Sequence, residues 1–218
     1  MDISSGFWNF VSNSVYGALA IDALWGAYCV VVVLMRVSQK RFRGERHQDE
    51  FLDRIELALN KGDFDSAVAE CEGDRRAIPQ LTALSCEHRQ LDVTQIQELL
   101  VDRFQRDVLG DLEHRVGWIN NVIKTAPMLG LLGTVLGMMA AFGKLSTSQT
   151  VKPDQLAEDI SFALITTAIG LAIAIPGTVC VASVNIRIRK LEDQVGAGLM
   201  RLLDIVTAAQ RHLPRRGR

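Results

Sequence analysis

The sequence predicts an all-α integral membrane protein, with three transmembrane helices and long cytoplasmic helical extensions. Apolar residues gather in three blocks, 15–37, 126–142 and 160–184, and the last two carry no charged residue. Each block is near or above the length of about 20 residues with which a helix crosses a hydrocarbon core of about 30 Å. Basic residues crowd the exits of the first and third blocks, and the rest of the chain alternates charged and apolar residues at helical spacing. Hydrophobic residues make up 48% of the 218 residues and aromatics only 6%, so little material remains for a large soluble core.

The elements follow in chain order. Residues 1–14 read as a short amphipathic segment on the outer side, with Trp8 suited to a membrane interface, and no basic stretch of the signal-peptide kind precedes an apolar run. Residues 15–37 are the first transmembrane helix. Asp22 is the one acidic residue in it, and an ionisable group at membrane depth is a functional candidate by default. It lies roughly 21 Å along the helix from Arg36, in the outer third. Residues 38–117 form a cytoplasmic helical region. In it, FLDRIELALNKGDFDSAVAECEG reads as two short helices joined at Lys61-Gly62-Asp63, a turn is expected around Pro79, and a long helix runs from Gln95 to Lys124. Residues 118–145 are the second transmembrane helix with its cytoplasmic lead-in, Lys124 reaching back to the cytoplasmic interface. Residues 146–158 are an outer loop, 159–184 the third transmembrane helix, and 185–218 a cytoplasmic helix ending in a basic tail, RRGR.

Orientation follows from the lysines and arginines. Arg36, Lys40, Arg41, Arg43 and Arg46 follow the first span, and Arg187, Arg189 and Lys190 follow the third. The loop between the second and third spans has Lys144 and Lys152 against Asp154, Glu158 and Asp159. The positive-inside rule puts the N-terminus and that loop outside and the C-terminus in the cytoplasm.

The second and third spans form a hairpin, because the stretch between them is too short for a domain and rich in turn formers. Thr134 lies roughly 12 Å inward from Phe142 and Thr167 roughly 10 Å inward from Ile160, so the two are expected at one depth. Gly130, Gly133 and Gly137 recur at three- and four-residue steps, and Ala163, Thr167, Gly170, Ala174 and Thr178 make a small stripe on the partner helix. Such faces let membrane helices approach closely. The threonines either bond to their own backbone carbonyls or line a narrow hydrated path.

The run APMLGLLGTVLG at 126–137, followed by TAIGLAIAIP at 167–176, resembles the paired signature of the ExbB/TolQ/MotA proton-channel family. The resemblance covers Trp118 to the C-terminus well and the remainder only in layout, which is the three-span, N-outside arrangement of ExbB and TolQ. It implies a bacterial inner-membrane protein. Members form a homo-oligomeric ring, usually of five copies, around a smaller single-span partner of the ExbD, TolR or MotB type, which brings the titratable aspartate. Thr134 and Thr167 match the family's pore-facing hydroxyls. Thr166 faces either the pore or a neighbouring helix, Ser161 sits at the outer mouth, the glycines Gly130, Gly133, Gly137 and Gly170 give close approach, and Pro127 and Pro176 give bends. One departure stands out: where typical ExbB and TolQ members carry a glutamate five residues before the matched threonine, this chain has Phe162.

No enzyme constellation is present, neither a phosphate-cradling Gly-rich loop nor HExxH nor a nucleophile beside a base. Cys29, Cys71, Cys86 and Cys180 lack the spacing of a metal site or disulfide framework. No cofactor, metal or nucleic acid is therefore expected. The expectation is a ring subunit of a proton-driven motor that moves its partner. The alternatives are a non-conducting scaffold for an envelope-spanning complex and a subunit of an ATP-driven transporter.

Overall fold

The computed structural model of the chain describes residues 3–42, 44–147 and 153–212. The side chain of Trp8, together with Arg43, Lys152 and the basic tail at 215–218, falls outside the described residues. Among those that are described, the chain is all helix with no strand: α1 (Ile3–Lys40), α2 (Glu45–Asn60), α3 (Phe64–Cys71), α4 (Ala77–Glu87), α5 (Val93–Phe104), a π-helical turn (Gln105–Leu109), α6 (Gly110–Thr147) and α7 (Pro153–His212). Three helices, α1, α6 and α7, are long and apolar enough to cross a membrane. Helix α1 runs without a break from Ile3, so most of the segment 1–14 is the first turns of that helix.

The chain divides into two compact units. The first holds α1 up to Val32 together with 115–184. Here α6 offers two adjacent faces. Ile123, Ala126, Gly130, Gly133 and Gly137 meet α7, while Trp118, Val122 and Thr125 meet α1. The remaining arc, with Met128, Leu131, Val135, Met138, Met139 and Phe142, is exposed and apolar. Tyr16 of α1 closes the triangle edge-on against Phe162 of α7, with ring centroids 5.3 Å apart.

The second unit holds residues 33–114 and the rest of α7 from Asn185. Its core is built from Phe51, Leu52, Ile55 and Leu59 of α2, Ile78 and Leu81 of α4, Ile96 and Leu100 of α5, and Leu191, Val195 and Leu202 of α7, all buried. As expected, α2 and α3 meet at a turn around Gly62, whose positive φ of 76° suits glycine; Asp63 caps α3 by accepting from the Ser66 amide. The turn expected around Pro79 lies earlier, at 72–76 with Gly73 at φ 77°. Pro79 is the third residue of α4, where the missing N–H would have had no intrahelical acceptor, so it starts the helix without interrupting it.

The long helix expected from Gln95 is α5 joined through the π turn to α6. Buried residues Ile96, Leu100, Phe104, Val108 and Leu112 follow at steps of four. In an α-helix each such step drifts about 40° round the axis. The wider π turn takes up that drift and keeps the five residues on one face.

Helix α7 is tied to α2 by polar contacts. Gln48 Nε2 donates to the Gln194 carbonyl at 2.9 Å, and Arg201 pairs with Asp49 at 2.8 Å and with Asp53. Burial pulls the Arg201 guanidinium down, but its bonds to Asp53 and Asp49 outweigh that and hold it above its ordinary value.

Candidate ion-pathway site

The site is built where α6 and α7 run closest. A Cβ added to Gly170 would stand 2.5 Å from the Ala126 carbonyl oxygen, and one added to Gly130 would stand 2.9 Å from Thr166 O and Thr167 Cα. At Gly133 the added carbon would run into the Thr166 hydroxyl, and at Gly137 it would meet Asp159 O at 2.8 Å. All four glycines picked out by spacing therefore face the other helix. Two further glycines of this unit make close approaches: Gly177, two turns on from Gly170, against Ile123, and Gly26 of α1 against Val122.

Close backbone approach puts the α7 hydroxyls within reach of α6 carbonyls. Thr167, half-buried, donates to Gly130 O at 3.0 Å. Thr166 is fully buried, bonds to Ala163 O at 2.9 Å, and lies over Gly133. Its side chain is turned toward α6 of the same chain. Residues 163, 166, 170 and 174 are the buried row of α7, with Thr167 at its edge.

Thr134 donates to its own Leu131 carbonyl at 2.7 Å, and with Val135, Met138, Met139 and Phe142 it lines a shallow apolar groove of about 520 Å³. Because Gly130 is level with Thr167, Thr134 lies about one turn nearer the hairpin loop than Thr167. The expectation of equal depth counted each helix from its own end and missed this offset.

At the loop end, Ser161 is exposed, and Asp159 forms an ion pair with Lys144 at 2.6 Å. Phe162 packs against Tyr16 and stands close to Gly137. Pro127 packs beside Gly170, while Pro176 is exposed within an unbroken α7.

Asp22 does not stand alone. Both its carboxylate oxygens lie near Thr125 Oγ1, at 3.1 and 3.0 Å, and Thr125 directly follows Lys124. A flat core of about 30 Å cannot hold Asp22 in its outer third and also put Lys124 at its cytoplasmic face. The depths expected for these two residues are therefore incompatible, since the hydrogen bond makes them level. Sequence reading missed Thr125; the signal was that a lone carboxylate in an apolar span needs a donor.

These features define a polytopic helical membrane protein whose two charge-free spans meet through glycines and carry hydroxyls at their contact. The chain belongs to the MotA/TolQ/ExbB proton channel family, whose model matches residues 77–196, more than half of its length. It is similar to the Tol-Pal system protein TolQ of Haemophilus influenzae, 39% identical over 85 residues, which is 39% of this chain and 37% of that protein. It is also similar to the biopolymer transport protein ExbB of Aquifex aeolicus, 34% identical over 85 residues, 39% of this chain and 55% of that protein. An ExbB homologue of Methanothermobacter thermautotrophicus is 25% identical over 150 residues, 69% of this chain and 53% of that protein. The chain thus spans between about a third and just over half of the length of these relatives.

Proposed function

We propose that this chain is the ring-forming subunit of an ion-driven motor in a bacterial inner membrane, with its N-terminus outside and its C-terminus in the cytoplasm. The ring, of five copies, surrounds a single-span ExbD/TolR-like partner that carries the titratable aspartate. Membership of a proton channel family supports the ion pathway. Division of labour with a partner is supported by the two central spans themselves, which hold hydroxyls and no carboxylate.

The observation that carries the mechanism is the bond from Thr167 to the Gly130 carbonyl. A threonine hydroxyl has one proton to give. A charged partner carboxylate is the stronger acceptor and draws that proton away from Gly130. When the carboxylate is protonated, the hydroxyl returns to Gly130 and the partner's hold on the ring weakens. Passage of protons therefore alternates the grip, and the partner turns or shifts. Thr134, one turn away on the apolar groove, holds water or the partner helix in this scheme.

The test is flux in liposomes containing this chain with and without the partner, under a proton gradient and then a sodium gradient. Thr167→Val keeps the shape and removes the hydroxyl, so partner-dependent flux is expected to fall at least tenfold while assembly persists. Unchanged flux in that variant would sink the proposed role. A second reading, a non-conducting scaffold, is favoured by Phe162: the position expected to carry a glutamate is an aromatic packed on Tyr16. A tight complex with no flux under either gradient would favour it.

A further inference from the structure

The carboxylate of the first span has a contact that the ring pathway leaves unused. Thr125 Oγ1 lies 3.1 and 3.0 Å from the two oxygens of Asp22, and also 3.0 Å from Asn121 O and 3.3 Å from Val122 O. Four acceptors thus compete for one hydroxyl proton. Two arrangements resolve the competition. With Asp22 charged, Thr125 donates to the carboxylate. With Asp22 protonated, the acid O–H donates to Thr125 Oγ1, and the threonine proton turns to Asn121 O. The second arrangement pairs every donor and leaves no net charge in an apolar span.

We propose that Asp22 and Thr125 form a protonation site belonging to this chain, one that binds and releases a proton between α1 and α6 independently of any partner carboxylate. Uptake adds one proton from water to a carboxylate oxygen and reverses the direction of the hydrogen bond; release restores the charged pair. The surroundings allow both states. On α6, Lys124 is exposed and a third of a turn round from Thr125, and Arg115 is ten positions away. On α7, residues 160–184 hold no charged residue and one thiol, Cys180. On α1, the other titratable side chains of residues 15–32 are Tyr16, which packs on Phe162, Tyr28, which packs on Trp25, and Cys29. The close contact of Gly26 with Val122 and the ring contact of Trp25 with Trp118, centroids 6.2 Å apart, lie within two turns of the pair. They hold α1 near enough to α6 for either hydrogen bond to form.

Infrared difference spectroscopy of the purified chain in lipid, comparing acidic with alkaline buffer, reads the site directly. A protonated-carboxyl stretch that appears on acidification, vanishes in Asp22→Asn, moves to higher frequency in Thr125→Val and returns to its place in Thr125→Ser is the expected result. A spectrum unchanged in Asp22→Asn, or an Asp22 band indifferent to Thr125→Val, would overturn the proposal. No partner protein enters this measurement, so its failure is distinguishable from failure of the motor reading.

Discussion

Replacing Gly170 by alanine tests the packing that places the hydroxyls. The new Cβ would sit 2.5 Å from Ala126 O, 3.2 Å from Ala126 C and 3.3 Å from Pro127 Cα. These are backbone atoms, and no rotamer change moves them aside. Restoring an ordinary contact of 3.4 Å requires the helices to part by 0.9 Å, the difference between 3.4 and 2.5 Å. Overpacking of this kind costs about 1–3 kcal/mol. Parting also stretches the 3.0 Å bond from Thr167 to Gly130, one turn away, a loss of about 0.6 kcal/mol for a hydrogen bond between membrane helices. The expected destabilisation is therefore about 2–4 kcal/mol. Reversible unfolding in bicelles by added detergent measures it. Gly17→Ala is the control, because nothing lies within 4 Å of its added carbon, and its stability should stay within about 0.5 kcal/mol of the original. If Gly170→Ala unfolds at the same point as that control, the close approach of α6 and α7 is not what the structure describes.

Other expectations follow from single contacts. A double-mutant cycle of Tyr16→Leu and Phe162→Leu should give a coupling of about 0.5–1.5 kcal/mol in the same unfolding assay, the usual worth of an edge-on ring pair; additive effects would deny the contact. Arg201→Met should cost about 1 kcal/mol at low salt and less as salt rises, because the ion pairs with Asp49 and Asp53 are largely exposed. Salt-independent destabilisation would point to lost packing instead. Burial pushes the Cys71 thiol up to about 12, from an ordinary value of 9.0. At pH 9 about one Cys71 in a thousand is then thiolate, against about half of an unperturbed thiol. Iodoacetamide should label it only on unfolding. The sign is also definite: a raised pKa means the folded state holds its proton longer, so this contribution to stability is lost as pH climbs above 9. Rapid labelling of Cys71 in the folded protein would contradict its burial.

The three membrane blocks were legible because each is a long apolar run, broken in the first only by Asp22 before Arg36 at its exit, and the contact face of α6 was legible because glycines at three- and four-residue steps fall on one side. What was not legible is how far one helix slides along another. The contacts of Trp25 with Trp118, Gly26 with Val122 and Asp22 with Thr125 set that offset for α1 and α6, and each joins residues about a hundred positions apart. The same blindness separated Thr134 from Thr167 by a turn. Thr166 and Thr167 are adjacent, so only packing decides that the first is buried over Gly133 and the second sits at the edge. Pro79 misled because proline marks both turns and helix starts, and local sequence separates the two poorly.

The π turn at Gln105–Leu109 has a consequence for how this chain can change length. A π turn holds one residue more than its α-helical neighbours need. Losing a single codon inside it would let the turn relax to α-helix, with Ile96, Leu100 and Leu112 still facing inward. The same loss inside α6 at 126–137 would rotate everything beyond it by about 100° and carry the glycines off α7. A reading-frame-preserving deletion in this short stretch can therefore be absorbed with Leu100 and Leu112 still on one buried face.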